Sequence, residues 1–279
     1  MDGSKLARDL LPPLLYRALT AVNPNAISLV GPYADWAAAV ADSQGYDAAA
    51  IVEQVERAQD RVLAGAASFE RDSVLFQDPQ YNCPLMALLL RAALENEGRL
   101  SVLDFGGALG GTWLQHRRFL LPVQPLHWTI VEQAGFVAKG RSKYSTDVLQ
   151  FHHSLDEAVA AGVAPDVVLM CSVLQYLEHP REVLEQMLAL RAPYLFIERT
   201  PFNDQPEPTL MVQKVPGKIG AASYPSWILG RRWLLDLLLQ DYEPLIQASA
   251  AEGVVGVGRH AAHYQTMVFR RRDLPSWQC

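Results

Sequence analysis

A glycine-rich turn is the part of the sequence best suited to hold a ligand. The run Val102-Leu103-Asp104-Phe105-Gly106-Gly107-Ala108-Leu109-Gly110-Gly111 passes from an apolar stretch, which predicts a β-strand, into the start of a predicted helix. Glycines let the backbone turn sharply and approach a ligand closely, and the first turn of a helix offers unpaired N–H groups. The sequence therefore predicts that this turn cradles a cofactor.

Two kinds of cofactor fit the letters of this turn. Gly106-x-Ala108-x-x-Gly111 approximates the fingerprint for a nicotinamide dinucleotide, whereas Asp104-x-Gly106-x-Ala108-x-Gly110 approximates the loop of a methyltransferase. A carboxylate at the mouth of the turn repels a pyrophosphate, while S-adenosylmethionine has no phosphate and carries a cationic amino group and a sulfonium. The charge of Asp104 therefore favours S-adenosylmethionine. In the alternative interpretation, Asp104 only caps the turn and the glycines only ease packing.

Polar residues that follow the next predicted strands complete the candidate cofactor site. Glu132 ends the second strand, where a carboxylate accepts hydrogen bonds from the ribose hydroxyls of an adenosine. Ser154 and Asp156 follow the third strand, where they either meet the adenine or cap the next helix. The predicted cofactor-binding residues are Asp104, Gly106, Gly107, Ala108, Gly110, Glu132, Ser154, Asp156 and Ser172.

The acceptor side offers three catalytic candidates, Gln175, Tyr176 and Arg199, and no assigned base. Methyl transfer needs the acceptor aligned with the methyl group, and a general base only for a poorly acidic hydroxyl or a protonated amine. Arg199 follows the fifth strand and is suited to bind a carboxylate or phosphate, as in a uronic acid or a nucleotide-linked sugar. In the alternative interpretation, Glu198 or another nearby acid pairs with Arg199.

A parallel α/β sheet is needed to bring these residues together. Helical stretches between the apolar runs, among them Arg181–Leu190, predict crossover connections, and ligands collect at the carboxyl ends of parallel strands. The predicted strands are Ser101–Phe105, His127–Glu132, Leu149–His153, Val167–Cys171 and Tyr194–Glu198.

The chain on either side of these strands has a different pattern. Residues 1–98 predict a helical N-terminal cap, and residues 99–279 predict the cofactor-binding domain. The proline-rich stretch Pro201–Pro225 predicts a substrate loop. A helix over Trp227–Leu239 and a last strand over Tyr264–Phe269 are predicted to follow it.

The composition argues against polyanionic partners. Twenty-four Lys and Arg against thirty Asp and Glu give a net charge of −6, which leaves no electrostatic footprint for nucleic acid. The sequence predicts no membrane-spanning segment, and its basic and apolar start at Leu10–Leu15 is either a packing segment or a peripheral membrane contact. Three widely spaced cysteines predict a reducing, cytoplasmic location. No metal site is expected, because adjacent His152 and His153 in a strand point to opposite faces.

Several motifs occur in an order that resembles a known protein family. They are Phe69–Phe76, Asp104-Phe105-Gly106-Gly107, Asp166–Leu169, Ser172–Glu178, Arg199-Thr200-Pro201-Phe202 and Ser223–Ile228. Over nearly the whole chain, this order resembles a family of class I S-adenosylmethionine-dependent methyltransferases found among bacterial O-antigen and surface-polysaccharide genes. Ala108 departs from the general methyltransferase loop, because it stands where the middle glycine is usual.

The resemblance implies both a fold and an activity. It implies a Rossmann-like, mostly parallel seven-stranded sheet with an antiparallel last strand, for which Tyr264–Phe269 is the candidate. It also implies methyl transfer from S-adenosylmethionine to a small molecule, such as a sugar or sugar-linked intermediate of surface-polysaccharide biosynthesis. Two alternatives stay open: an NAD(P)-dependent sugar oxidoreductase or epimerase, and a non-catalytic protein that binds the cofactor as a scaffold.

Overall fold

The computed structural model describes residues 28–45, 48–215, 222–255 and 261–275. The predicted N-terminal segment Leu10–Leu15 and Cys279 lie outside these ranges. The helices are α1 (Trp36–Ala41), α2 (Ala48–Leu63), α3 (Cys83–Glu95), α4 (Gly111–His116), α5 (Ala134–Lys143), α6 (Leu155–Ala160), α7 (Pro180–Ala189) and α8 (Arg231–Leu238). The strands are β1 (Ser28–Val30), β2 (Phe69–Arg71), β3 (Val74–Phe76), β4 (Leu100–Phe105), β5 (Leu126–Val131), β6 (Leu149–His152), β7 (Val167–Cys171), β8 (Tyr194–Asn203), β9 (Thr209–Val215), β10 (Ala222–Gly230), β11 (Tyr242–Val255) and β12 (Ala262–Arg271). Within the described ranges, none of the helices has the length and apolar character needed to cross a membrane.

The chain divides into two compact units. The smaller comprises Met1–Tyr46 and Leu210–Ser226, and the larger comprises Asp47–Thr209 and Trp227–Cys279. The division does not follow the predicted boundary between residues 98 and 99, because α2, β2, β3 and α3 belong to the larger unit. That residues 1–98 act as a cap stays a prediction.

The smaller unit joins two stretches that are far apart in sequence. β1 pairs with β9 in antiparallel fashion, with Ser28 opposite Lys214. Gly45 forms an isolated antiparallel bridge with Ser223. α1 begins after Asp35, whose carboxylate accepts a hydrogen bond from the Ala38 N–H at 2.8 Å, as expected of a helix cap.

The larger unit contains a sheet with the strand order β6-β5-β4-β7-β8-β12-β11. Neighbouring strands from β6 to β8 are parallel, whereas β12 is antiparallel to β8 and β11 is antiparallel to β12. These seven strands confirm the predicted mostly parallel sheet with an antiparallel last strand, and Leu229 and Gly230 of β10 add a further parallel pairing to β8. This is the Rossmann-like arrangement that the family resemblance implied.

Two apolar clusters hold the sheet from its two faces. On one face, Trp128 of β5 and Leu89 of α3 share a buried cluster. On the other, Leu103 of β4 packs in a cluster with Leu184 of α7 and Leu234 of α8. Parallel strands covered on both faces read as nearly continuous apolar runs, which is why β4, β5 and β7 were predictable. The packing fixes the carboxyl ends of the central strands at one edge.

The predicted helix over Trp227–Leu239 is wrong in its first part. The chain stays extended in β10 as far as Gly230, and α8 begins at Arg231. Leu229 and Gly230 pair in parallel with Phe202 and Asn203 of β8, and this pairing overrides the local pattern.

Other stretches are more extended than predicted. The Pro201–Pro225 stretch is not a single loop, because β8 continues to Asn203 and the stretch also contains β9 and the first part of β10. Residues 1–98 include the short strands β1, β2 and β3 and are therefore not only helical. β11 was not predicted, whereas the last predicted strand lies within β12.

Candidate cofactor and acceptor site

The glycine turn after β4 has the backbone conformation that its sequence predicts. Gly106 has a φ of +75°, which L side chains rarely adopt, and a Cβ there would approach Val173 Cγ2 to 2.7 Å. Its N–H donates to the Val131 carbonyl at 2.9 Å, which anchors the turn to β5. Gly110, with a φ of +91°, precedes α4 directly. The turn thus leads from the edge of the sheet into a helix start.

Asp104 lies beneath this turn and not at its mouth. Its side chain is 1% exposed, and its Oδ2 accepts a hydrogen bond from Trp128 Nε1 at 3.1 Å. A Cβ at Gly107 would lie 2.7 Å from Asp104 Cγ, so the loop backbone rests on the carboxyl group. Burial raises the pKa of Asp104 to about 7, against the effect of the Trp128 hydrogen bond. The site therefore holds a carboxyl group whose ionisation is costly without a cation.

Glu132 stands directly after β5, beside the turn. Its carboxylate accepts backbone hydrogen bonds from Gln133 and from Ala108 of the glycine loop. Burial raises the pKa of Glu132, and these hydrogen bonds oppose the rise. Ala108 has a φ of +48°, so the residue that replaces the usual middle glycine still adopts the left-handed conformation of a glycine.

Ser154 and Asp156 lie at the start of α6. The Ser154 Oγ accepts a hydrogen bond from the Glu157 N–H at 3.1 Å, which makes Ser154 a helix cap, and Asp156 is exposed in the first turn. Neither residue lines the cleft described below. Contact of these two residues with an adenine ring stays a prediction.

Ser172 and Gln175 form a hydrogen-bonded unit after β7. Gln175 is fully buried, and its Nε2 donates to Ser172 Oγ and to the Arg199 carbonyl, both at 3.1 Å. Ser172 and Arg199 line the cleft, whereas Gln175 and Tyr176 do not. The structure therefore places Gln175 behind the site, where it ties the ends of β7 and β8 together.

Arg199 pairs with Asp72, which follows β2. The distance from Arg199 Nη1 to Asp72 Oδ2 is 3.1 Å. The alternative in which an acid pairs with Arg199 is thus correct in kind, although the partner in the structure is Asp72 and not Glu198. A substrate carboxylate or phosphate at Arg199 would compete with Asp72.

A cleft of about 460 Å³ runs along the carboxyl edge of β4, β7 and β8. The first glycines of the turn, Asp104, Ser172 and Arg199 line it together with residues of β2, α3, α4 and β11. Of the seven described non-glycine residues with positive φ, four line this cleft: Asp72, Ala108, Ser172 and Arg199. Backbone conformations of this kind cluster at functional sites.

Several polar residues of the cleft were not predicted as site residues, among them Glu70, Asn82, Glu198 and Glu252. The Glu70 carboxylate accepts the Ser73 N–H at 3.1 Å, and a Cβ at Gly111 would lie 2.5 Å from Glu70 Oε1. Burial raises the pKa of Glu70 to about 7. In the sequence, Glu70 belongs to the motif Phe69–Phe76 of the family resemblance, but no pattern there gives a reason to place Glu70 in the site.

No group of three or more His, Cys, Asp and Glu side chains suited to a metal ion occurs within the described ranges. The sulfur of Cys171, a cleft residue, is free, and burial raises the pKa of its thiol well above the ordinary value. Neither observation adds a reactive group to the cleft.

Comparisons with known proteins give structural similarities at low identity. No family profile and no curated protein matches the sequence. The 1,6-didemethyltoxoflavin-N1-methyltransferase of Burkholderia thailandensis, solved with 1,6-didemethyltoxoflavin and S-adenosylhomocysteine, is 16% identical; the match covers 80% of this chain and 89% of that one, with a TM-score of 0.44. The N-terminal domain of EvdMO1 with S-adenosylhomocysteine bound is 15% identical to this chain. The match covers 82% of this chain and 98% of that domain, with a TM-score of 0.45. The N-methyltransferase NodS from Bradyrhizobium japonicum is 16% identical to this chain. The match covers 68% of this chain and 87% of that one, with a TM-score of 0.41. At these scores the similarities assign no activity, and the fold rests on the strand order.

Proposed function

We propose that this chain is a methyltransferase that uses S-adenosylmethionine to methylate a small molecule. The observation that carries the proposal is the buried Asp104 carboxyl group under the glycine turn, with Glu132 directly after the neighbouring strand. A carboxylate buried without a cation is costly, so this arrangement favours a ligand that brings positive charge and carries no phosphate. S-adenosylmethionine meets both conditions.

The residues around the turn fit this cofactor. Gly106 and Gly107 leave no room for a Cβ, and the loop therefore presents bare backbone to the cleft. We expect Asp104 to attract the cationic part of the cofactor and Glu132 to accept hydrogen bonds from its ribose. When bound, the cofactor supplies an electrophilic methyl group. The chain's own contribution is to hold the acceptor in line with that group and to exclude water from the cleft.

A sugar or sugar-linked intermediate of surface-polysaccharide biosynthesis is the substrate class that we propose, and the cytoplasm is the proposed location. The family resemblance of the sequence motifs supports the substrate class, and the three widely spaced cysteines support the location. A nucleotide-linked sugar would require Arg199 to exchange Asp72 for a phosphate. That exchange is accessible, because 75% of the Asp72 side chain is exposed.

Calorimetric titration of the purified chain tests the cofactor assignment. We expect S-adenosylhomocysteine to bind and NAD(P) not to bind, and we expect Asp104→Asn to weaken the binding by about tenfold, the effect of about 1.4 kcal/mol. Asp147→Asn makes the same change of net charge at an exposed position and is the control. Binding of NAD(P) alone would favour the oxidoreductase or epimerase alternative. Cofactor binding without any methyl transfer across a sugar panel would favour the scaffold.

A further inference from the structure

Glu198 lies on the same face of the sheet as Asp104. β4 and β7 place Asp104 opposite Leu169, and β7 and β8 place Cys171 opposite Glu198. Because side chains alternate along a strand, Asp104, Cys171 and Glu198 point to one face, and all three line the cleft. Glu132 lies on the other side of Asp104, after β5. Glu132, where we place the ribose, does not line the cleft, so Glu198 and the proposed ribose site lie on opposite sides of Asp104.

Asn82 fixes the Glu198 carboxylate. The Asn82 Nδ2 donates a hydrogen bond to Glu198 Oε1, while its Oδ1 accepts the Leu85 N–H at 3.0 Å and caps α3. The Asn82 backbone N–H donates to His116 Nε2 at 3.0 Å, so the proton of this ring is on Nδ1, which donates to the Thr112 carbonyl at 2.9 Å. α3, α4 and β8 thus meet at Asn82, and the carboxylate is held in one orientation.

The charges of the cleft favour a cation near Glu198. The lining of the cleft contains five carboxyl groups and two guanidinium groups: Glu70, Asp72, Asp104, Glu198 and Glu252, with Arg71 and Arg199. Both guanidinium groups already face a carboxylate, Arg199 at 3.1 Å from Asp72 and Arg71 at 3.7 Å from Glu252. Within the described ranges, Glu198 has a hydrogen bond from Asn82 but no ion pair. The charges of Arg199 and Arg71 also act on Glu198, but neither forms an ion pair with it. An incoming anion would therefore meet guanidinium groups that are already paired, whereas an incoming ammonium would meet a carboxylate that has no ion-pair partner.

Proton transfer distinguishes an amine from a hydroxyl as the acceptor. Burial raises the pKa of Glu198, with a smaller contribution from the Glu252 carboxylate, while Arg199, Arg71 and the Asn82 hydrogen bond oppose the rise. Because the pKa remains raised, Glu198 is a better proton acceptor than an exposed glutamate. An alkylammonium has a pKa of about 10, whereas a hydroxyl resembles water, at about 16. The pKa of an ammonium is therefore much closer to that of a carboxylic acid than the pKa of a hydroxyl is, so a carboxylate can deprotonate an ammonium far more readily than a hydroxyl.

We infer that the methyl acceptor is an amine nitrogen and that Glu198, oriented by Asn82, binds its ammonium form and takes its proton. This inference rests on the proposed function. The Glu198 carboxylate accepts one proton from the ammonium, and the freed lone pair forms the new nitrogen–carbon bond. The carbon–sulfur bond breaks with its electron pair remaining on sulfur, and the proton leaves Glu198 for solvent. If the substrate is a sugar, as proposed above, it is an amino sugar.

A pair of cofactor analogues tests the inference by equilibrium binding. Sinefungin carries an amine where S-adenosylmethionine carries its methyl group, and S-adenosylhomocysteine has nothing at that position. We expect sinefungin to bind the wild-type chain about tenfold more tightly than S-adenosylhomocysteine, because its ammonium reaches Glu198. Calorimetry measures both dissociation constants without turnover.

Three variants make the result specific. Glu198→Gln should remove the preference for sinefungin and leave the affinity for S-adenosylhomocysteine within about twofold of wild type. Glu185→Gln, an exposed position on α7, should keep the preference. Asn82→Ser retains a helix-capping residue but loses the longer amide group that donates to Glu198, so it should reduce the preference even where Glu198→Gln does not fold.

Two results would count against the inference in different ways. Equal binding of both analogues to the wild type, or a preference that survives Glu198→Gln, overturns the role of Glu198 while the proposed function stands. Binding of neither analogue to the wild type overturns the proposed function, and the amine inference fails with it.

Discussion

Replacement of Asp104 by asparagine should stabilise the protein at neutral and higher pH. The ordinary pKa of 3.8 is raised to about 7 in the folded chain, because burial penalises the carboxylate. Because the pKa is higher in the folded chain, folding favours the protonated form of Asp104. The contribution of this protonated side chain to the free energy of unfolding is fully present below about pH 4 and is lost as the pH rises to about 7. The difference in pKa corresponds to about 4 kcal/mol at pH 8, of which about 2.5 kcal/mol develops between pH 5 and pH 8. Asparagine keeps an acceptor for Trp128 Nε1 and carries no charge.

Urea unfolding at pH 5 and pH 8 measures this effect. The quantity of interest is the free energy of unfolding of Asp104→Asn minus that of the wild type, which should increase with pH. Other buried acids, such as Glu70 and Glu198, are present in both proteins and cancel in the difference. Asp147→Asn removes a carboxylate at an exposed position and is the control with which the Asp104→Asn difference is compared. A constant difference for Asp104→Asn would refute the reasoning, because it would mean that Asp104 does not titrate in this range.

Three further results are expected from the glycine turn. Gly107→Ala should cost about 1–3 kcal/mol of stability and abolish binding of S-adenosylhomocysteine, because the new Cβ would lie 2.7 Å from the buried carboxyl carbon of Asp104. An unfolding transition in urea equal to that of the wild type would contradict this. Ala108→Gly should cost less stability than Ala87→Gly at an exposed helical site, where about 1 kcal/mol is expected, because Ala108 has a φ of +48°. Binding of S-adenosylhomocysteine at pH 6 should release protons as Asp104 ionises, which calorimetry in two buffers with different ionisation enthalpies would detect.

The central sheet was predictable because burial on both faces leaves an unbroken apolar run in the sequence. The predicted strand over Val167–Cys171 has the same bounds as β7. The first residue of each of the four other predicted strands lies within one residue of the first residue of the observed strand. β11 carries Gln247, Ser249 and Glu252 among small residues, and half-exposed positions of this kind give no such run. Its long antiparallel pairing with β12 holds it extended.

The candidate site was predictable only where its residues are adjacent in sequence. The turn from Asp104 to Gly111 combines strand, glycines and helix start in one stretch, so local pattern was sufficient. Asn82 and Glu198 are 116 positions apart, and their hydrogen bond depends on the packing of α3 against the sheet. No spacing in the sequence indicates such a pair. The burial of Asp104 was missed for the same reason, since Trp128 and the loop together cover it.

The pairing of β1 with β9 limits how the chain can be shortened. Residues 28–30 cover one edge of β9, along Val212, Gln213 and Lys214. A fragment that begins at residue 48 would retain β9 with a row of uncovered N–H and C=O groups along that edge. Uncovered edges of this kind recruit strands from other chains, so the fragment is expected to self-associate in solution. Lys214 places one charge at this edge, so a shortened chain that stays monomeric would need a further charged side chain or a proline there.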